Sequence, residues 1–379
     1  MNMVINMVYL DYSATTPVDD EVLKTYNKVT KEYPGNSNSL HSLGVASKKL
    51  EDYATERISK LLGVKTSEII YTSGASESNN TAIKGICLKY QNRGKHIITT
   101  YLEHSSIIAP LNYLSDMGFE VDFVKIDNNG LVDLEDLKRL LRDDTILVSI
   151  CAVDSEIGLA QPIKEISQIL KNYPKCFFHV DCTQALGKIS LDFKDIDLAS
   201  MSAHKIYGLK GIGLLIKKEN INIEPLIHGG KSTTPFRSGT PALPLIVSLM
   251  KAIELIVPNI NTNKEYIIKL NKKIKAKLKE YPLVHINSTI NSIPNTINFS
   301  LKKIKPETFL HALDEKEIYI STKSACSSSN SMSNAVYALT KDSELSNHSL
   351  RISLSHKTTE EELEIFLKAF DECYKKLDM

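Results

Sequence analysis

Several separated groups of residues in this chain have the make-up of a reactive site. Lys205 stands in Ser202-Ala203-His204-Lys205-Ile206-Tyr207-Gly208, between the apolar residues Leu198, Ala199 and Met201 and the apolar run Leu214 to Ile216. Two short buried strands with a polar, glycine-bearing crossing between them is the reading of that pattern. A lysine between apolar walls is biased toward its neutral form, and a neutral amine attacks carbonyls. Lys205 is therefore a candidate Schiff-base lysine, against the ordinary alternative of a solvated lysine on a turn. Asp181 closes the run Cys176-Phe177-Phe178-His179-Val180, with Gln184 just beyond it. An Asp there can simply cap a helix. With Lys205 at the next strand's end, it could instead set a carboxylate on the opposite side of one ligand. Thr72-Ser73-Gly74-Ala75-Ser76-Glu77-Ser78-Asn79-Asn80 joins a strand to a helix start, where free backbone N–H groups and the helix dipole favour an anion. Cys326 lies in Ser324-Ala325-Cys326-Ser327-Ser328-Ser329-Asn330, a stretch too small and polar to bury itself, so its thiol is expected to be exposed and available. Arg351, inside the apolar pattern Leu350 to Leu354, must pair with a buried acid or receive a carboxylate.

The elements that must position these groups alternate. Helices are expected over Asp19 to Glu32, Ser42 to Leu62, Ser105 to Met117, Leu134 to Leu141 and Ile163 to Lys171. Strands are expected at Glu68 to Tyr71, His96 to Thr100, Glu120 to Lys125, Thr145 to Ile150 and Cys176 to Val180. Strand–helix repetition with β-rich apolar strands predicts an α/β fold with a large, mostly parallel sheet, whose ligands sit at the carboxyl ends of the strands. Three strand ends carry candidates: His104, Ser155 with Glu156, and Asp181. Pro258 and the Asn-rich stretch Asn259 to Asn263 read as a boundary. The expected division is a large domain over 15–258 and a small α+β domain made of 1–14 and 259–379.

At 379 residues the chain exceeds one compact core. Its 46 Lys and Arg nearly balance 45 Asp and Glu, without a basic stripe, so neither nucleic acid nor a membrane surface is an expected partner. No apolar run approaches the ~18 residues of a membrane span. The N-terminal residues carry no basic stretch or cleavage pattern, so no signal or transit peptide is expected. The six cysteines are scattered, without metal-type or disulfide-scaffold spacing, so no metal is expected and a reducing cytoplasm is the expected compartment.

Taken together, the motifs resemble the cysteine desulfurases of the class V aminotransferase family, which have fold type I of the pyridoxal-phosphate (PLP) enzymes. The resemblance covers essentially the whole chain. It rests on Leu10-Asp11-Tyr12-Ser13-Ala14-Thr15-Thr16-Pro17, Thr72 to Asn80, Glu103-His104, Glu156-Ile157-Gly158, His179-Val180-Asp181 with Gln184-Ala185, Ser202-Ala203-His204-Lys205, Arg237-Ser238-Gly239-Thr240, Ser324-Ala325-Cys326 and Leu350-Arg351-Ile352. The resemblance implies that Lys205 binds PLP covalently, Asp181 pairs with the ring nitrogen and His104 stacks on the ring. It implies that Gln184 and Ser155 lie near the ring hydroxyl, although Ser155, with Asp154, stands where asparagines are usual. Ala75, Ser76, Ser202 and His204 would hold the phosphate, joined by Thr240 from the partner of a homodimer. Arg351 would clamp the substrate carboxylate. The implied reaction converts L-cysteine to L-alanine with Lys205, His104 and Cys326 as catalytic residues. Its sulfur leaves as a Cys326 persulfide for an acceptor protein in iron–sulfur cluster assembly or tRNA thiolation. Other readings are a selenocysteine lyase or related PLP amino-acid lyase, and a non-catalytic sulfur-relay or assembly partner.

Overall fold

The structure is a computed structural model, which describes residues 7–230, 232–322 and 332–377. In chain order the first part runs β1 (Val8–Tyr9), α1 (Asp20–Glu32), α2 (Ser42–Leu62), β2 (Ile69–Thr72), α3 (Ala75–Tyr90), β3 (His96–Thr99), α4 (Ser105–Asp116), β4 (Glu120–Phe123), α5 (Leu134–Leu140), β5 (Thr145–Cys151), α6 (Ile163–Leu170), β6 (Phe177–Asp181), β7 (Leu198–Ser202), β8 (Gly213–Lys217) and α7 (Leu243–Ile256). The remainder is α8 (Ile260–Leu278), β9 (Val284–Ile286), β10 (Thr296–Leu301), α9 (Pro306–Asp314), β11 (Ile318–Tyr319), α10 (Asn334–Thr340), α11 (Ser343–Asn347), β12 (Ser349–Ser353) and α12 (Glu360–Leu377). Local chemistry sets several of these ends. The Asp19 carboxylate caps α1 by accepting from the Glu21 N–H at 3.0 Å, and α2 stops at Gly63, whose φ of 68° is the left-handed conformation that glycine adopts cheaply.

A seven-stranded sheet, in the order β2-β8-β7-β6-β5-β3-β4, forms the centre. β7, β6, β5, β3 and β4 run parallel, while β8 is antiparallel to both of its neighbours. Side chains alternate between the two covered faces: Ile69 and Tyr71 join the core under α1, α2 and α7, and Ile70 joins the one under α3 and α4. A further core gathers Ile297 and Phe299 of β10, Leu350 and Ile352 of β12, Phe366 and Phe370 of α12, and Val8 and Leu10 near the N-terminus.

The stretch Asn259 to Asn263, read from its composition as a boundary, is helical. Pro258 sits in a 3₁₀ turn, Val257–Asn259, that passes α7 directly into α8, and the Asn259 amide donates to Leu255 O at 2.9 Å. The resulting helical run, Leu243–Leu278, contains a stretch with mean hydropathy 1.7 that is apolar enough by composition to cross a bilayer. In this fold that apolarity serves packing, because α7 buries Ile246, Val247, Leu249, Met250 and Ile253 against α1 and α2.

Candidate active site

A cavity of ≈ 580 Å³ opens where β6 and β7 end, the position expected for a ligand of such a sheet. Asp181 closes β6 and is 6% exposed. Its Oδ2 accepts from Asn79 Nδ2 at 2.8 Å and its Oδ1 from the Thr183 N–H at 2.9 Å. Asn79 extends from α3 and also donates to Ser106 Oγ at 2.9 Å, so three elements converge on this carboxylate.

At one end of the cavity lies the turn from β2 into α3. The first bond of α3 runs from the Ser78 N–H to Gly74 O at 3.0 Å, which leaves the N–H groups of Ala75, Ser76 and Glu77 without intrahelical acceptors. Thr72 Oγ1 stiffens the turn through Ser78 Oγ at 2.8 Å and Gly74 O at 3.1 Å. β8 passes so close that a Cβ on Gly213 would lie 2.5 Å from the Gly74 Cα, which explains the glycine at that position. Burial pushes the Glu77 carboxyl up, but hydrogen bonds from Arg237 and Ser73 outweigh it and hold the group below its usual range. Ser202 and His204 close this end. Burial, then the positive charges of Lys205 and Lys210, lower His204 to about 4.

At the other end, Lys205 ends a 3₁₀ turn directly after β7. Its surroundings differ from the expected apolar walls: Nζ donates to Ser13 O at 2.6 Å and Ala14 O at 2.8 Å. The N-terminal segment is folded back over this turn, with the Thr16 N–H and Oγ1 both donating to His204 O, at 2.8 and 3.0 Å. His104 caps α4, its Nδ1 accepting from the Ser106 N–H at 3.1 Å. A neutral ring with an accepting Nδ1 carries its proton on Nε2. Burial is the main cause that lowers its pKa.

Arg351 rises from β12 and is 1% exposed. It is already paired: Nη2 donates to Asp11 Oδ1 at 2.7 Å and Nη1 to Ser155 O at 2.8 Å. Ser155 lines the cavity, and its carbonyl serves the arginine. The neighbouring Asp154 is buried and accepts three backbone N–H bonds, from Glu156, Ile157 and Leu159. Its carboxyl is pushed up to about 6 by burial.

The cavity therefore gathers Ala75, Ser76, His104, Ser155, Asp181, Gln184, Ser202, His204, Lys205 and Arg351 from the sequence-derived set. Thr240 is exposed and does not line it. Cys326 lies outside the described residues. Sequence reasoning missed the carbonyls of Ser13 and Ala14, which any residue type supplies. It also missed the role of Asn79, which was within a quoted motif and one helical turn beyond Ser76.

A search against known families matches residues 8–366 to the aminotransferase class-V model. The chain belongs to the aminotransferase class-V family. Cysteine desulfurase IscS of Dictyoglomus turgidum is 40% identical over 375 residues, covering 98% of this chain and 95% of that protein. Cysteine desulfurase IscS of Methanosarcina thermophila is 38% identical over 374 residues, covering 98% and 92%. A solved NifS-like protein superposes with a TM-score of 0.93 at 36% identity, covering 98% of this chain and all of the other. SspA, solved in complex with cysteine, superposes with a TM-score of 0.82 at 32% identity, covering 93% and 99%.

Class-V enzymes use PLP, and the donor set here fits that group. The open N–H groups of α3 with Ser202 and His204 suit a phosphate, the accepting Asp181 suits a protonated ring nitrogen, and Lys205 offers the amine. Two cavity-lining buried polar atoms, Thr183 Oγ1 and Arg351 Nε, have no partner among the described residues, as expected where a polar ligand binds.

Proposed function

We propose that this class-V enzyme is a cysteine desulfurase that draws sulfur from L-cysteine and passes it through Cys326 to an acceptor protein. The observation that carries this reading is the meeting of Lys205, Asp181, His104 and Arg351 in one cavity, on a chain that matches cysteine desulfurases over nearly its full length. Bound PLP supplies an electrophilic carbon for amines and an electron-withdrawing ring. Ala75, Ser76, Ser202 and His204 hold its phosphate, Asp181 faces the ring nitrogen, and Gln184 and Ser155 lie near the ring hydroxyl. Arg351 orients the substrate carboxylate, exchanging or sharing its bond to Asp11. Lys205 holds and moves the α-proton, and His104 lines the same cavity. The Cys326 thiolate bonds to the substrate sulfur as the carbon–sulfur bond breaks, leaving a persulfide on Cys326 and L-alanine as product.

The enzyme works as a homodimer, in which the exposed Thr240 reaches the partner's phosphate site, and its sulfur goes to an iron–sulfur scaffold or a tRNA-thiolating enzyme. Residues 15–258 hold the cofactor, and 1–14 with 259–379 bring Arg351 and Cys326. The five described cysteines are free and buried, which supports work in the cytoplasm.

The test is to incubate purified, PLP-loaded protein with L-cysteine and measure alanine and sulfide. Expected are a visible absorbance band, alanine production, and loss of sulfur release in Cys326→Ala. A colourless protein that forms no alanine overturns the enzyme reading. Wild-type sulfide yield from Cys326→Ala overturns the role of that thiol.

A further inference from the structure

Lys188 is a lysine beside the active site that the desulfurase reaction leaves unused. Its Nζ donates to Gln184 Oε1 at 2.5 Å. Gln184 is buried and lines the main cavity, while Lys188 borders a smaller one behind Lys205. The other end of the same carboxamide, Gln184 Nε2, donates to Ser13 O at 2.8 Å. That carbonyl also accepts from Lys205 Nζ. Lys188, Gln184, Ser13 and Lys205 thus form one hydrogen-bonded chain.

A carboxamide has an accepting end and a donating end of nearly equal shape, so only its partners fix which way it faces. Both partners here act in one direction: the Ser13 carbonyl only accepts, and a lysine ammonium only donates. Turning the amide over would set Nε2 against Nζ and Oε1 against the carbonyl oxygen. Each mismatch would leave buried polar groups unpaired. Burial and the positive charges of Lys205 and Arg351 lower the Lys188 amine to about 7. A neutral amine can accept as well as donate, so Lys188 dictates the amide's direction as an ammonium, while the Ser13 carbonyl only accepts at any pH.

We propose that Lys188 is a positioning residue that locks the Gln184 carboxamide with its Nε2 toward Ser13 and the cavity, so that the site donates to an anionic oxygen on the PLP ring. The inference rests on the PLP reading of the site and extends it to a residue that does not line the main cavity.

The test loads Lys188→Met, Gln184→Leu and the double variant with PLP. It records the visible absorbance band and its pH titration, together with the PLP dissociation constant from fluorescence quenching. Loss of one hydrogen bond to a charged acceptor predicts a dissociation constant raised about tenfold in Lys188→Met, with a displaced titration midpoint. Gln184→Leu is expected to show the same change, and adding Lys188→Met to it is expected to change nothing more. If Lys188→Met does not fold, Lys188→Gln, which both donates and accepts and no longer dictates the amide's direction, is expected to shift the band and the dissociation constant in the same sense. A folded Lys188 variant with wild-type spectrum and affinity overturns the proposal, and so do effects that add fully in the double variant. A wild-type protein without a visible band fails the functional reading instead.

Discussion

The two ends of the cavity are built in different ways. The turn of the anion cradle is braced locally, with Thr72, Gly74 and Ser78 bonding to one another across at most six positions of sequence, and Ser202 and His204 join it from the end of β7. The amine and guanidinium end is assembled over long distances. Lys205 reaches Ser13 across 192 positions, and Arg351 reaches Asp11 across 340. A turn made of a strand end and a helix start depends mainly on its own stretch, with Ser202 and His204 completing the cradle. The other end exists only once the N-terminal segment has docked across β7 and β12. Cofactor anchoring and substrate handling should therefore be separable by mutation.

The largest effect that tests this separation is expected from Lys205→Ala. The visible band and alanine production should both vanish, while phosphate still binds at the cradle, as measured by competition with PLP. Loss of phosphate binding in a folded Lys205→Ala protein would join the two ends. Next comes Arg351→Ala. The KM for L-cysteine should rise at least about tenfold with the PLP affinity unchanged. Asp11 then loses its partner, and unfolding in urea should show a loss of about 3 kcal/mol.

At the end of β5 lies Glu103, whose Oε1 accepts from Thr100 Oγ1 at 2.8 Å and from the Cys151 N–H at 2.9 Å. Burial is the leading cause that pushes its carboxyl up to about 8. The folded state keeps a proton that the unfolded chain surrenders, so this group's contribution is fully present below the ordinary carboxylate pKa and is lost as pH rises toward 8. Glu103→Gln should remove that slope. Stability relative to wild type should gain about 1.4 kcal/mol per pH unit across the window, measured by urea unfolding at several pH values. Parallel pH profiles for the two proteins would show that Glu103 ionises normally.

The smallest effect belongs to Thr72→Val, which removes the hydroxyl that braces the cradle. A loss of about 1 kcal/mol should weaken PLP about fivefold and leave the KM for L-cysteine unchanged. A raised KM with intact PLP affinity would contradict the local character of the cradle.

Much of the fold is legible in the residues. The apolar strands of the central sheet follow from their apolar runs and the helices from periodicity, as β6 and α4 illustrate, because each element carries its own pattern of burial. The Asn259 to Asn263 stretch reads as a boundary from its composition, and its helical state, continuous with α8, is set by the helices on both sides. The site splits in the same way. Asp181 and Ala75 with Ser76 are readable at strand and helix ends. The surroundings of Lys205 are not, because the groups that meet its amine are backbone carbonyls, present at every residue and selected only by the path of the chain.

By itself the sequence determined the α/β alternation, the family, the anion cradle and most of the residues that bear the chemistry. These depend on residue type and on spacing within one or two elements. Only the tertiary structure decided that Arg351 already holds Asp11 and Ser155, that the Lys205 amine rests on the folded-back N-terminal segment, and that Lys188 stands behind Gln184. Those are contacts between residues far apart in the chain, and no local pattern encodes which distant groups a buried charge will meet.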